Sequence, residues 1–314
     1  MNQRYSETSN APGAAPAPAP TPAACAGVAP GAAAGGHRRP QRLYEGYIFD
    51  LDGTIYLGKE LLPGAKRLVL KLRELGKRVI FLSNNPTRDA GMYAEKLSNF
   101  GLPTPPEEII TTVFTTTQWI LQNAPEAVVY PISEEPLIRA LTEAGITISD
   151  DPEQIDIVIA SYDRTLTWQK LQVAFEAIWY HKRARLICTN PDLFCPFPGG
   201  RGEVDAGAII AALEHVTGAK LEVNCGKPSP VMLNTIMKAI GLGVEQCLTT
   251  GDRLYTEIKM GIESGMDTCL VFTGETSPEM LADYPDEGKP AFALDRIDKL
   301  IPGDLWSEFG WTEE

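Results

Sequence analysis

The sequence predicts an α/β protein: a Rossmann-like, doubly wound parallel sheet with helices on both faces and a second α/β unit inserted into it. Three observations carry this expectation. Short runs of β type recur at residues 47–49, 78–82 and 247–250, and each ends in a polar cluster. Between them lie stretches of helical spacing, such as Ala65, Leu68, Val69, Leu72 and Leu75. The alternation breaks off near residue 123 and resumes near residue 224, and the region between has strand and helix candidates of its own. Alternation of this kind builds a parallel sheet covered on both faces.

Taken in order, residues 47–49 form an apolar strand that ends in Asp50. The stripe over 65–75 is a helix, with Gly76 suited to its C-terminal turn. A strand at 78–82 runs into Ser83-Asn84-Asn85, a helix over 87–100 stops at Gly101, and 109–111 is a third strand. The inserted region offers strands at 127–131, 156–161 and 185–189 and helices at 135–144, 168–180 and 206–217. Then come a helix at 230–240, opened by Pro230 and closed by Gly241, a strand at 247–250, a helix around 258–263 and a fifth strand of the first unit at 268–272. The expected organisation is a tail at 1–42, a discontinuous core at 43–122 and 224–303, an inserted unit at 123–223 and a C-terminal tail at 304–314.

The opening 42 residues are a different material. Residues 11–36 are almost entirely Ala, Pro and Gly. Pro16, Pro18, Pro20 and Pro22 oppose helix and favour extended chain. With few bulky apolar groups to bury, the segment is expected to be disordered. It lacks a Leu-rich centre, and Arg38-Arg39 follows the Ala tract, so it does not read as a secretory signal.

Net charge is −13 over 314 residues. That field repels nucleic acid and anionic membrane, so neither is an expected partner. It also opposes an anionic substrate unless a local cation reverses the sign. The six cysteines include no C-x-x-C pair. Reduced thiols in a cytoplasmic protein are therefore expected, and zinc and a disulfide framework are not. No run of 18 apolar residues is present, so no membrane span is expected.

Ligands of open α/β sheets bind at the carboxyl ends of the strands. Four polar clusters fall there: Asp50-Leu51-Asp52-Gly53-Thr54, Ser83-Asn84-Asn85, Gly226-Lys227-Pro228 and Gly251-Asp252-Arg253. A carboxylate closing an apolar strand is costly unless a charge compensates it. Asp50 in that position can attack phosphorus and form a mixed anhydride. Asp52 can protonate the departing alkoxide and then deprotonate the attacking water. Asp252, with Asp50 and the backbone carbonyl of Asp52, offers the hard oxygen ligands that suit Mg²⁺. Lys227 and the Ser83-Asn84-Asn85 donors are candidates for holding the phosphoryl oxygens. Each cluster alone also has an ordinary reading as a turn or a helix cap. Their order and placement favour the chemical one.

Carried on Phe49-Asp50-Leu51-Asp52-Gly53-Thr54-Ile55-Tyr56, Phe81-Leu82-Ser83-Asn84-Asn85, Gly226-Lys227-Pro228-Ser229-Pro230 and Gly251-Asp252-Arg253-Leu254, the chain resembles the haloacid dehalogenase (HAD) superfamily phosphatases. More narrowly it resembles the IIA branch: NagD-like, 4-nitrophenylphosphatase-like and phosphoglycolate phosphatase-like proteins. The resemblance implies a HAD-like core with a large inserted C2-type cap that selects the substrate. It implies Asp50 as nucleophile, Asp52 as general acid/base, Ser83 and Lys227 as phosphate ligands, and Asp252 as a Mg²⁺ ligand. Tyr162, Asp163, Asn190 and Asp192 match cap segments that face the core in relatives, with turn residues as the competing reading of the two acids. Glu257 stands where relatives commonly carry Asp, and an outer-sphere role is expected for it. The cap of relatives often dimerises, so a homodimer through the cap is expected. The implied activity is Mg²⁺-dependent hydrolysis of a small phosphorylated metabolite. A phosphomutase with the same core, or a non-catalytic binding or scaffold protein on this frame, is the alternative.

Overall fold

The computed structural model describes residues 39–197 and 201–312. The Ala/Pro-rich tail expected at 1–42 therefore lies, up to residue 38, outside the described residues. Six parallel strands form the first sheet in the order Phe292–Leu294, Asp267–Val271, Cys247–Gly251, Gly46–Asp50, Arg78–Ser83, Ile109–Thr111. From Gly46–Asp50 the chain first builds outward on one side, then returns much later to build the other. The strand order thus reverses beside Asp50, where an open α/β sheet leaves a crevice for ligands.

All five residues of Gly46–Asp50 are buried, as expected of a central strand. Its side chains alternate between faces. Tyr47 and Phe49 join Leu68, Leu72 and Phe81 on one side, while Ile48 joins Ile80, Leu82, Met232 and Ile236 on the other. The helices Ala65–Glu74 and Pro230–Ile240 thus close opposite faces. Leu68, Val69 and Leu72 are each fully buried, a contribution of about 1.5–3 kcal/mol per side chain.

A second parallel sheet, in the order Leu221–Asn224, Arg185–Cys188, Ile157–Ala160, Val129–Ile132, lies within the long interval between the strands Ile109–Thr111 and Cys247–Gly251. An antiparallel hairpin, Phe194–Phe197 with Arg201–Val204, projects from it. Several elements escape periodicity, and three of them show why. Helix Thr112–Asn123 buries Val113 and Ile120 against Val129, Ile157, Ile159 and Ile187 of the second sheet, but its buried Thr112, Thr115, Thr116 and Thr117 mask the apolar stripe. The edge strand Phe292–Leu294 is three residues long, and the hairpin is largely exposed. Helix Ala90–Asn99 starts later than 87 because Asp89 caps it, accepting from Met92 N at 2.8 Å.

Both expected tails need correction at their inner ends. Arg39 donates to the carbonyl of Ile301 at 3.1 Å and lies 4.6 Å over the Trp306 ring. Residues 303–308 form a helix whose Trp306 is buried, and Arg67 lies over both Trp306 and Trp311. Aromatic burial and cation–π contact hold this segment to the core. Asp298, fully buried, anchors the same corner by accepting from Arg67 at 2.5 Å and Arg296 at 2.8 Å. Asp298→Ala should cost about 2–3 kcal/mol in a urea unfolding experiment, because two partly exposed guanidinium groups lose their shared acceptor. A midpoint unchanged from wild type would mean that this corner does not need the pair.

Candidate active site

Strand geometry alone brings three of the four clusters together. Asp50 ends the central strand in register with Leu82 of Arg78–Ser83, which puts Ser83 one step beyond it. On the other side Phe49 pairs with Thr250, so Gly251 and Asp252 emerge beside Asp50 and Leu51. Lys227 arrives in the turn that leaves the second sheet after Leu221–Asn224. Its ammonium bonds Asp50 Oδ1 at 2.5 Å and also Glu257. All four of Asp50, Lys227, Asp252 and Glu257 are buried.

The electrostatics follow from that burial. Desolvation drives the Asp50 carboxyl well above the ordinary carboxylate range; Lys227 opposes the rise, while Glu257 and Asp252 reinforce it. Burial pushes Asp252 up to about 6, with Arg253 opposing and Glu257 adding. Burial alone would lower Lys227, but Asp50 and Glu257 reverse the sign and hold it above its usual value. Burial would likewise raise Glu257, yet Lys227 and a 2.6 Å bond from Thr256 Oγ1 hold it low. Glu257 is thus in direct contact with Lys227.

Asp50 and Glu257 share the one ammonium of Lys227, while Asp252 is opposed by Arg253, which also pairs with Glu275; carboxylates thus outnumber cations, which favours an additional cation. Asp252 is shaped for one. Its Oδ2 accepts from Glu275 N at 2.7 Å, while its buried Oδ1 has no hydrogen-bond partner among the described residues. Gly53 turns at φ +80°, and a Cβ there would stand 2.5 Å from Asp252 Oδ2. Glycine is therefore needed both for the turn and for the approach. No three His, Cys, Asp or Glu side chains are grouped as a metal cluster among the described residues. The donor set that fits is two carboxylates, Asp50 and Asp252, plus a backbone carbonyl such as that of Asp52, with the remaining positions left to water or substrate oxygens.

Asp52 is exposed, unlike Asp50, and its Oδ2 accepts from Tyr56 Oη at 3.0 Å. The short hairpin Tyr56–Leu57 with Glu60–Leu61 supplies that tyrosine. Ser83 Oγ lies 2.8 Å from Tyr93 Oη. The side chains of Asn84 and Asn85 are engaged within the protein, which leaves their backbone N–H groups as the donors they would offer a phosphate. The Asn85 side-chain oxygen accepts from Thr87 N and Thr87 Oγ1 in a local turn. Asn84 directs its side-chain amide to Lys227 and Asp192.

The cap candidates separate into two groups. Tyr162 donates to Glu203 of the hairpin and is buried. Asp163 pairs with Lys170 at 2.5 Å and accepts from Thr165, which makes it a turn residue internal to the second unit. Asn190 is buried against Asp205 and Asp192, and Asp192 reaches the core at Asn84, 3.1 Å away. Sequence reasoning missed Tyr56, Tyr93, Asp205, Arg253 and Glu275. Arg253 was adjacent to Asp252 and assigned nothing; its Nε pairs with Glu275 at 3.0 Å. Glu275 carries no local signal, because its loop meets Asp252 only through folding.

Residues 47–147 match the family model described as haloacid dehalogenase-like hydrolase, and residues 224–300 match one described as HAD-hydrolase-like. The 5'-nucleotidase YutF of Bacillus subtilis is 36% identical over 261 residues, covering 83% of this chain and 99% of that protein. Sugar-phosphatase AraL of the same species is 34% identical over 252 residues, covering 80% and 90%. The crystal structure of a 4-nitrophenylphosphatase from Thermotoga maritima superposes with a TM-score of 0.76 at 34% identity, covering 82% of this chain and 96% of that one. NagD from E. coli superposes with a TM-score of 0.73 at 26% identity, covering 82% and 98%.

Asp205 provides a test of the burial at this junction. Burial pushes it up to about 6, against bonds from Ala206 N and Asn190. Below about pH 3 the carboxyl is protonated in folded and unfolded chains alike; as pH rises toward 6 the unfolded chain ionises first and folding stability falls. Asp205→Asn should remove a decline of about 3 kcal/mol at most between about pH 4 and pH 7. Denaturant titrations of both proteins measure it, and parallel pH profiles would contradict the assignment.

Proposed function

The chain belongs to the haloacid dehalogenase-like hydrolases and is a phosphatase, and we propose that it hydrolyses a small phosphorylated metabolite through an ester formed on Asp50, with Mg²⁺ as cofactor. The observation that carries this reading is the convergence of Asp50, Asp252 and Lys227 at adjoining strand ends. Relatives named for nucleotides, sugar phosphates and 4-nitrophenyl phosphate support a phosphomonoester of modest size.

In this reading Lys227 and Ser83 hold the phosphoryl oxygens and align phosphorus with Asp50. The Asp50 carboxylate attacks, the bond from phosphorus to the leaving oxygen breaks, and Asp52 delivers its proton to that oxygen. Tyr56, bonded to Asp52, fixes the direction of transfer. Asp52 then takes a proton from water, the water oxygen bonds to phosphorus, and cleavage of the anhydride restores the Asp50 carboxylate. Bound Mg²⁺, held by Asp50, Asp252 and the Asp52 carbonyl, supplies charge neutralisation and orientation for the phosphoryl group. Glu257 keeps Lys227 charged and in place.

The division into a discontinuous core and an inserted cap belongs to this proposal, with the second sheet and its hairpin forming the wall that selects the leaving group. No helix among the described residues is long and apolar enough to cross a membrane. A reducing cytoplasm suits the buried free thiols of Cys188, Cys225, Cys247 and Cys269. The exposed Trp168, Trp179 and Tyr180 of the cap offer apolar surface for a second copy.

Magnesium-dependent release of inorganic phosphate from 4-nitrophenyl phosphate and from a panel of sugar phosphates and nucleotides tests the reading. Asp50→Asn should lower turnover about a thousandfold or more, and Asp52→Asn about a hundredfold. Wild-type protein that isomerises a phosphorylated sugar without releasing phosphate would point to a mutase instead. Full activity in Asp50→Asn would remove the covalent route.

A further inference from the structure

We propose that Asn84 is a positioning residue through which the seating of the cap on the core sets the place of the Lys227 ammonium against Asp50. The inference rests on the phosphatase reading above and adds a role that the phosphate-binding expectation for Asn84 did not contain.

The argument starts from one amide. Asn84 is buried and directly follows the strand Arg78–Ser83. Its Oδ1 accepts from Lys227 N at 2.8 Å. A backbone N–H can only donate, so the orientation of the amide is settled by its partner. The two hydrogens on Nδ2 then face two acceptors: the Lys227 carbonyl at 3.3 Å and the Asp192 carboxylate at 3.1 Å. Both donors and one acceptor position of the side chain are used, two of these bonds on the backbone of Lys227 and one on the cap.

Position in the chain gives this arrangement its consequence. Lys227 stands three residues beyond the last strand of the second sheet, Leu221–Asn224, where the chain crosses back to the core. Cys225 N still donates to Cys188 O at 2.9 Å, so the second sheet's hydrogen bonding runs to within two residues of the lysine. At Gly226 a Cβ would stand 2.5 Å from Thr189 O and 2.7 Å from Asn84 Oδ1, so the crossing has no room for a side chain. A rotation of the cap about this crossing would pull on the Lys227 backbone. Asn84 opposes the pull by gripping Lys227 at both N and O from the core side. Its third bond, to Asp192, is made only when the cap is seated. Asp192 is itself oriented by Asn190 Nδ2 at 3.3 Å. The side chain that aligns the ammonium is therefore shared with the contact that registers cap position. The ammonium in turn bonds the nucleophile.

Steady-state kinetics on the full-length protein with Mg²⁺ and 4-nitrophenyl phosphate test this with four variants: Asn84→Ala, Asp192→Ala, the double variant and Asp192→Asn. Asn84→Ala should lower kcat about tenfold or more while KM moves less than about threefold, since alignment rather than capture is lost. Asp192→Ala should lower kcat by a smaller factor, and the double variant should be no worse than Asn84→Ala, because both substitutions break one chain of contacts. Asp192→Asn should stay close to wild type, because its side-chain oxygen can still accept from Asn84. A merely structural role would not produce this split between Asp192→Ala and Asp192→Asn. Multiplicative losses in the double variant, or an Asp192→Asn enzyme as poor as Asp192→Ala, would overturn the inference. Should Asn84→Ala fail to fold, the two Asp192 variants decide the matter alone. Orthovanadate binding by calorimetry reads the same alignment without turnover: Asp192→Ala should weaken it and Asp192→Asn should not. A wild-type protein that binds orthovanadate but releases no phosphate would contradict the proposed function while leaving this comparison intact.

Discussion

The ammonium of Lys227, buried between the carboxylates of Asp50 and Glu257, is the constraint around which the rest of the site is arranged. A buried charge is tolerated only with partners of opposite sign at hydrogen-bonding distance. Here the partners outnumber it, since Asp252 adds a third buried carboxylate nearby. The imbalance explains several features at once. Asp252 leaves one buried oxygen without a donor among the described residues. The loop at Gly274 and Glu275 and the turn at Gly53 press closely about the same carboxylate. The arrangement is short of positive charge, a condition that attracts a divalent cation and that repels an anionic phosphoryl group until such a cation is present.

The same constraint links two sheets. Asp50 and Asp252 belong to neighbouring strands of the first, so sheet register is enough to bring them side by side. Lys227 comes from the chain just after it leaves the second sheet. Helix Thr112–Asn123 supports the crossing, packing its apolar side on the second sheet while Thr115 Oγ1 donates to the carbonyl of Cys225 at 2.7 Å. The second unit therefore contributes to the site itself. One of the charges that defines the site is anchored where the two units meet.

Legibility in the sequence tracked the physics of each element. Helices with an unbroken apolar stripe, such as Ala65–Glu74 and Pro230–Ile240, were readable with their glycine ends. Central strands were readable because burial on both faces makes them continuously apolar. Helix Thr112–Asn123 was not, because its buried threonines look polar in sequence while their hydroxyls bond within the fold, as Thr117 Oγ1 does to Val113 O. The edge strand Phe292–Leu294 is too short to show a period. The C-terminal segment read as a tail because its anchors, Arg39 and Arg67, are more than 200 residues away in the chain.

Among the candidate site residues, sequence alone singled out Asp50, Asp52, Lys227 and Asp252, the groups to which the proposed phosphoryl chemistry is assigned. Each lies at or just past the end of a strand, and strand ends are local features that a pattern of apolar runs and turns encodes. Only the tertiary structure decided what their neighbours do. It set the Asn84 side chain on Lys227 and Asp192, confined Asp163 to an ion pair with Lys170, and brought Glu257 into contact with the lysine. Those assignments depend on which polar groups meet across distant segments, and hydrogen bonding between them is settled by three-dimensional proximity rather than by spacing along the chain.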